Sequence, residues 1–256
     1  MRSTSVLIVA AGAALCLPAY LGAQGRGGPP GPPPTAKAAA PEDLTGYWVS
    51  LVTEDWRYRM VTPPKGDYAS VPLNPEGRRV ADTWDPAKDE AAGLQCKSYG
   101  AAALMRVPTR VHITWADDNT LKVETDAGTQ TRQFHFGQAQ PSPSGDADWQ
   151  GLSVANWEFA GGARGGRGGP PRGGSLKVAT THLRPGYLRK NGVPYSGNTV
   201  LTEYYTRTDE SDGTSYLIIT TMVDDPQYLA QTFVTSTHFK KEADGAKWSP
   251  SACTAR

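Results

Sequence analysis

The sequence comprises 256 residues, of which 26 are Lys or Arg and 25 are Asp or Glu, so the formal net charge is only +1. A nearly neutral chain has no large electrostatic attraction to polyanions, and we therefore expect no nucleic-acid partner. Beyond the N-terminus no stretch is long and apolar enough for a membrane-spanning helix, so we expect no stable membrane insertion.

The N-terminus has the three parts of a secretory signal peptide, which we assign to residues 1–23. Arg2 supplies the positive charge, and Val6 to Leu17 form the apolar segment. That segment is about a dozen residues long, shorter than the roughly 20 that span a bilayer. Leu21-Gly22-Ala23 provides the cleavage site. We therefore expect an exported protein, either periplasmic or secreted.

Two low-complexity segments lie outside the predicted core. Residues 24–41 are mainly Gly, Pro and Ala, bury too little to compensate for ordering, and predict a disordered tether. Residues 42–256 then form a single domain. Within it, residues 161–174 carry three Arg-Gly-Gly units. Such units contact RNA in other proteins, but in an exported and nearly neutral chain we interpret them as a flexible surface loop.

Two cysteines remain after signal cleavage, Cys96 and Cys253. In an oxidising compartment such a pair forms a disulfide more often than a metal site. We predict that the two are bonded, which would hold the C-terminal tail beside the segment that precedes the second strand. The alternative is two unpaired thiols.

The first predicted strand runs from Thr45 to Val52 and is rich in aromatic and β-branched residues. The next segment, Glu54 to Met60, mixes charged and aromatic side chains. It predicts either a continuation of the strand or a segment folded over an opening. Two short helices follow: Asn74 caps the first, which runs to about Trp84, and Asp85 caps the second, which runs to about Ala92.

After Leu104 the chain alternates between strand patterns and turns rich in Gly, Asp and Asn. Together with the first strand these segments describe an antiparallel meander, and a meander of this length closes on itself. We therefore predict an all-β fold, an antiparallel up-and-down barrel of about 8–10 strands with two short helices inserted after the first strand. The further strands are predicted near Arg110–Ala116, Leu121–Thr125, Gln130–Phe136, Leu152–Phe159, Leu176–Leu183, Thr199–Arg207, Tyr216–Val223 and Thr232–Lys240.

Two resemblances support a barrel. Gly46-Tyr47-Trp48 at the head of the first strand, followed by up-and-down strands, resembles the lipocalin and wider calycin pattern, although the chain has no helix after the last strand. Most of the mature chain also resembles a group of exported bacterial proteins of unassigned function. Trp157-Glu158, Leu188 to Gly192 and Asp225 to Leu229 carry that resemblance. The resemblances imply export and a lipocalin-like fold, and no activity.

The strand–loop–strand unit from Gly174 to Arg207 concentrates ionisable side chains, and we expect any chemistry here. His182 shares a predicted strand face with Leu176 and Val178, which predicts that it points inward. It is then either a catalytic group or a structural hydrogen-bonding group. Glu203, set among apolar and phenolic neighbours, is its candidate partner in acid–base chemistry. The catalytic set that we predict is His182, Glu203, Tyr205 and Arg189.

Glu203 also has a structural interpretation, in which it forms an ion pair with Arg207 or Arg189. A second candidate site is the charged and aromatic segment Glu54 to Arg59. Aromatic side chains beside arginines hold planar or anionic ligands by stacking and bidentate hydrogen bonds, or they form the rim of a barrel. The ligand-binding residues that we predict across the chain are Trp48, Trp56, Tyr58, Arg59, Trp115, Tyr187 and Tyr195.

The other histidines lie on the polar faces of their strands. For His112 and His135 this predicts solvent exposure, or a place in the lumen if the lumen is polar, and His238 has the same ambiguity. No two histidines have the close spacing typical of metal sites, so we expect no metal. The chain has no nucleophile elbow, phosphate loop or dinucleotide fingerprint, and we expect no cofactor.

Two functions follow from these patterns. The first is a cofactor-independent acid–base enzyme, a lyase, isomerase or hydrolase acting on a small aromatic or cyclic substrate in the barrel. The second is a non-catalytic, lipocalin-like protein that binds a small hydrophobic ligand through its aromatic residues. A structural envelope protein is a third, less specific possibility. The sequence leaves the oligomeric state undetermined.

Overall fold

A computed structural model describes residues 33–137, 146–159 and 173–256, and within them nine strands close into a barrel. The predicted all-β barrel is therefore confirmed. The signal peptide, residues 24–32 of the tether and residues 161–172 of the insertion lie outside the described residues. The barrel strands are β1 (Gly46–Leu51), β2 (Arg110–Asp117), β3 (Thr120–Thr125), β4 (Gln130–Phe136), β5 (Leu152–Phe159), β6 (Gly174–Thr181), β9 (Val200–Asp209), β10 (Ser215–Asp224) and β11 (Phe233–Glu242).

Two further short strands, β7 (Gly186–Arg189) and β8 (Val193–Tyr195), form a separate antiparallel hairpin between β6 and β9. This hairpin corresponds to the turn-rich connection in the predicted strand–loop–strand unit. The connection is therefore an ordered element that packs beside the barrel.

The strand order around the ring is β1-β11-β10-β9-β6-β5-β4-β3-β2, and β2 pairs again with β1. A closed ring with an odd number of strands cannot alternate in direction throughout, so at least one pair must be parallel. That pair is β4 with β5, in the register Phe134–Ser153 to Phe136–Ala155. A parallel pair needs a connection of about a dozen residues or more, and residues 137–151 supply it. The prediction of a fully antiparallel barrel is wrong at this pair.

Within the described ranges the helices all lie between β1 and β2. They are α1 (Trp56–Met60), α2 (Pro75–Ala81), α3 (Pro86–Ala91), a 3₁₀ helix (Gln95–Tyr99) and α4 (Ala101–Leu104). The two predicted helices are confirmed as α2 and α3, since Asn74 and Asp85 accept hydrogen bonds from the backbone N–H groups of Gly77 and Ala87. The segment Glu54 to Met60 leaves the sheet through Asp55, whose φ is 49°, and forms α1.

Close-packed side chains fill the interior of the barrel. Strand alternation turns every second residue inward, and the inward residues form one cluster with Tyr99, Leu104 and Met105 of the helical segment. A barrel of this size has room for side chains or for one small ligand, and here side chains occupy it. Fully buried members of the cluster include Trp48, Val111, Ile113, Val123, Phe134, Leu176, Val178, Tyr205, Leu217, Ile219 and Phe239.

The chain from residue 34 to 44, which we call the N-terminal strap, packs against one end of the barrel. Ala36 N–H donates to Asn119 Oδ1 at 2.9 Å, and Lys37 N–H donates to the Asp118 carbonyl at 3.0 Å. Trp157 Nε1 donates to the Ala36 carbonyl at 2.8 Å. These contacts begin within the segment that was expected to be a tether, because an indole and a turn offer it hydrogen-bond partners.

The docking of the strap should depend on pH through Glu42. Its carboxylate accepts the backbone N–H of Arg207 at 3.1 and 3.2 Å. Burial raises the pKa of Glu42 from 4.5 to about 7, against the opposing effects of that hydrogen bond and of the Arg207 charge. A raised pKa means that the docked strap holds a proton. The stabilisation that the docked strap gains from the protonated Glu42 carboxyl is complete below the ordinary pKa of 4.5. It is lost as the pH rises through about 7.

Limited proteolysis within the strap should therefore become faster as the pH rises through about 7. Glu42→Gln, which has no proton to lose, should remove this dependence. Glu76→Gln, at an exposed site on α2, is the control and should behave as the unmodified chain does. Retention of the pH dependence in Glu42→Gln would assign it to another group.

Candidate functional site

Glu203 lies inside the barrel and is bonded to Arg132. Both side chains are fully buried. Arg132 Nη2 donates to Glu203 Oε2 at 2.6 Å, and Nη1 donates to Oε1 at 3.0 Å. Tyr205 Oη donates to Glu203 Oε1 at 3.2 Å, and the Thr180 hydroxyl accepts from Arg132 at 3.1 Å. Burial raises the pKa of Tyr205 well above 10, and the adjacent Glu203 charge adds to this.

The geometry of this cluster corresponds to the structural interpretation of Glu203, with a different partner. Arg132, and not Arg207 or Arg189, is the ion-pair partner of Glu203. Arg207 instead bonds Asp209 and the Asp43 carbonyl. The carboxylate and the phenol are thus held within the packed core, where they bond one guanidinium, whose Nε keeps no partner among the described residues.

His182 is exposed to solvent, and the prediction that it points inward is wrong. β6 ends at Thr181, and His182 adopts a φ of 57°, so the alternation of the strand does not extend to it. Val178, which pairs with Glu203, lies four residues earlier, about 13 Å along the strand. The structure therefore does not bring His182 and Glu203 to one cavity.

The remaining histidines lie on the outer faces of their strands. His112 stacks on Tyr47 with ring centroids 4.0 Å apart, and Trp248 packs edge-on against both rings. His135 and His238 are half-buried beside hydroxyl groups of neighbouring residues. In the described ranges no group of three or more His, Cys, Asp or Glu is arranged to hold a metal ion.

A cavity of about 390 Å³ lies between the helical segment and the β7–β8 hairpin. Its walls come from separate parts of the chain: α1, the 3₁₀ helix, the residues after α4, and the end of β7. The structure thereby brings together three residues that were predicted separately, Tyr58, Arg59 and Arg189. They are joined there by residues that sequence reasoning missed: Tyr99, Arg106 and Lys190.

Three arginines in the cavity wall are almost entirely buried. The exposed fractions of Arg59, Arg106 and Arg189 are 7, 6 and 4 %. Arg59 forms an ion pair with Glu54, and Arg106 forms one with Asp55 at 3.1 Å. The guanidinium of Arg189 donates to the Ala69 carbonyl and the Ser70 hydroxyl, at 2.8 and 2.7 Å.

Each of these guanidinium groups keeps a nitrogen without a hydrogen-bond partner among the described residues. The atoms are Nη2 of Arg59, Nη1 of Arg106 and Nε of Arg189. A buried donor on a charged group that lacks a partner is costly, and most buried donors are paired. All three of these donors belong to residues that line one cavity.

The arginines in this wall also affect one another electrostatically. Burial lowers the pKa of Arg189 from 12.5 to about 10, and the charge of Arg106 lowers it further. Burial also lowers the pKa of Arg59, the Glu54 charge opposes this, and Arg106 again adds to the lowering. The Arg106 guanidinium therefore repels those of Arg59 and Arg189. A bound anion would relieve this repulsion.

Tyr99 presents a second polar group to the cavity. Its hydroxyl accepts from Lys190 Nζ at 2.7 Å and lies 3.3 Å from the Thr254 hydroxyl. Burial would raise the pKa of Tyr99, but the hydrogen bonds from Lys190 and Thr254 and the Lys190 charge outweigh it and lower the pKa below 10. By contrast, the pKa values of Tyr68, Tyr187 and Tyr195 are raised, with burial as the largest cause.

The predicted disulfide is confirmed and holds this wall in place. The sulfur atoms of Cys96 and Cys253 are 2.01 Å apart, and 157 positions of sequence separate the two residues. Cys96 lies in the 3₁₀ helix that carries Tyr99, and Cys253 precedes Thr254. The disulfide therefore fixes the C-terminal segment beside Tyr99 and Lys190.

The other predicted ligand-binding residues lie elsewhere. Trp48 is a core residue whose Nε1 donates to the Leu44 carbonyl at 3.0 Å. Trp115 packs with Phe136 at the end of the barrel that the strap covers. Tyr187 donates to Asp89 Oδ2 at 2.8 Å. Tyr195 is buried, and Gly100 and Gly186 are required beside it because a Cβ atom on either would overlap its hydroxyl.

One signal in the sequence could have identified Arg106. It directly follows the apolar run Ala101 to Met105, all of which is buried. A cation at the end of such a run has to find a partner inside the fold. Tyr99 and Lys190 carry no comparable signal, because only the packing of the hairpin on the 3₁₀ helix brings them together.

Comparison with known proteins adds no assignment. In the part of the chain that the structure describes, no helix is long and apolar enough to cross a membrane. No protein-family model, no curated protein and no solved structure matches the chain.

Proposed function

We propose that the protein is an exported, lipocalin-like binding protein that holds a small anionic molecule in the cavity beside its barrel. The observation that carries this proposal is the set of three buried guanidinium groups, each with an unpartnered nitrogen, around one cavity. Guanidinium groups bind carboxylate and phosphate through paired, charge-assisted hydrogen bonds. The disulfide and the N-terminal signal pattern support export.

The interior of the barrel supports binding in the cavity rather than in the lumen. Apolar side chains and the Arg132–Glu203 ion pair fill that interior. The acid–base mechanism that combined His182 with Glu203 needed both groups in one cavity, and they do not share one. The proposed site needs no metal and no organic cofactor, because the chain itself supplies the charge.

The proposal predicts that Arg106→Met weakens binding of an anion without loosening the empty protein. One charge-assisted hydrogen bond contributes about 1.5–3 kcal/mol, so the affinity for acetate or inorganic phosphate should fall by about ten- to a hundredfold. The melting temperature without ligand should change little, since the variant removes the repulsion between Arg106 and the other two arginines together with the ion pair to the partly exposed Asp55. Isothermal titration calorimetry and thermal unfolding measure the two effects.

The matched control is Arg79→Met, which removes an exposed arginine from α2. It changes the net charge by the same amount and should leave anion affinity unaltered. Equal anion affinity of the unmodified chain and Arg106→Met would refute the proposal. A large loss of stability in ligand-free Arg106→Met would assign the arginine to the fold instead.

A second candidate function is proton transfer on the bound anion, with Tyr99 as the acid–base group. The specific observation is the Tyr99–Lys190 hydrogen bond in the same cavity, where the pKa of the phenol is lowered. This keeps a cofactor-independent enzyme as the alternative, with different residues from those first expected. Turnover of an anion that Tyr99→Phe still binds but no longer converts would favour it.

A further inference from the structure

An exposed apolar strip lies on α1 and on the residue that follows it. Trp56 and Met60 are four residues apart, so they share one face of the helix. Their exposed fractions are 63 and 59 %, and that of Val61 is 66 %. Single exposed apolar residues are ordinary, but a contiguous set marks a binding surface.

The strip is continuous with the cavity. Met60 belongs both to the strip and to the cavity wall, and Thr62, just beyond Val61, lines the wall as well. On the same helix the Arg59 side chain is fully buried among the other cations. A molecule that extends from the arginines to the cavity mouth would therefore meet first Met60 and then Val61 and Trp56.

We propose that the ligand is a single anionic amphiphile, such as a medium-chain carboxylic acid. This inference rests on the proposed function and specifies its ligand. The acidic head binds Arg59, Arg106 and Arg189 in the cavity, and the apolar body leaves over Met60 to cover Trp56 and Val61. One ligand chemistry thus accounts for both unusual features, the buried arginines that each keep one nitrogen without a partner and the exposed apolar strip next to them.

The burial of the arginines favours a free amphiphile over a bilayer surface. A headgroup that remains in the plane of a membrane would meet the exposed Arg57 rather than the three guanidinium groups, which are more than nine-tenths buried. The strip is also only three residues long, which matches one chain better than a lipid surface. Docking of a bilayer or of a second copy on the strip is an outcome of the test.

The test is the dependence of affinity on chain length. Acetate, hexanoate, octanoate and decanoate are titrated calorimetrically below their aggregation concentrations. Each methylene that the strip covers should tighten binding about fourfold, and the gain should stop once the chain extends beyond Trp56. Trp56→Ser combined with Val61→Ser, neither of which lines the cavity, should remove most of the gain and leave the acetate affinity unaltered. Val234→Ser, which changes an exposed apolar residue of β11, is the control and should keep it.

The outcomes separate this inference from the proposed function. Equal affinities for acetate and decanoate would overturn the amphiphile and leave anion binding intact. Absence of binding for every acid would overturn the amphiphile, and absence of inorganic phosphate binding as well would overturn both. Octanol binding as tightly as octanoate would show that the acidic head is not recognised, which overturns both as well. Binding to phosphatidylglycerol vesicles but not to decanoate, or a dimer that Trp56→Ser dissociates, would assign the strip to a membrane or to a second copy.

Discussion

Glu203→Gln should lower the free energy of unfolding by about 3–5 kcal/mol, because it leaves Arg132 charged and without its carboxylate inside the barrel. Neither side chain is exposed, and two hydrogen bonds join them. The amide can accept from only one of the two guanidinium nitrogens, while Thr180 and Tyr205 carry no compensating charge. Urea unfolding followed by tryptophan fluorescence measures the loss.

A double variant distinguishes the contribution of the whole ion pair from the cost of removing one partner. Arg132→Met combined with Glu203→Leu replaces both charges with apolar groups and should recover most of the stability, since isosteric apolar replacements of buried pairs are often neutral. Glu158→Gln, which removes one partner of the exposed Lys177–Glu158 pair, should cost less than about 1 kcal/mol. If Glu203→Gln cost as little as Glu158→Gln, the charge of Arg132 would not depend on Glu203 for its compensation.

Replacing both Cys96 and Cys253 with Ser should be similarly destabilising. The disulfide closes a loop across 157 positions, and the chain-entropy model gives about 5 kcal/mol for a loop of that size. The double variant and the reduced unmodified protein should show the same urea midpoint, well below that of the oxidised protein. A midpoint equal to that of the oxidised protein would mean that the unfolded chain gains little freedom when the link is removed.

The same variant should also weaken anion binding. Without the link, Thr254 and the following residues are no longer held against Tyr99 and Lys190, which donate and accept hydrogen bonds across this wall. Titration with acetate at a temperature where the variant is folded separates this effect from the loss of stability. Unaltered affinity would show that the C-terminal segment does not shape the cavity.

The barrel itself was predictable because the strand signal is local. In β2, Val111 and Ile113 are fully buried while His112 between them is not, as alternation predicts. The caps of α2 and α3 are local signals of the same kind. The parallel pair was not predictable, since it follows from closure of the whole ring and not from the residues of β4 or β5.

The site was only partly predictable, because its components are distant in the sequence. The segment Glu54 to Arg59 showed an arginine beside aromatics, and it does line the cavity. The partner of Glu203 lies 71 residues away on β4, and no local pattern connects the two. His182 was misplaced for a smaller reason: the strand ends at Thr181, two residues before the predicted end at Leu183.

The single parallel pair has a geometric consequence for the barrel. Parting β4 from β5 would unroll the ring into an open sheet whose neighbours are all antiparallel, with β4 and β5 as its two edges. Open edges carry unpaired N–H and C=O groups that pair readily with other chains. The short register from Phe134–Ser153 to Phe136–Ala155 is therefore what keeps the sheet from presenting two such edges to solvent.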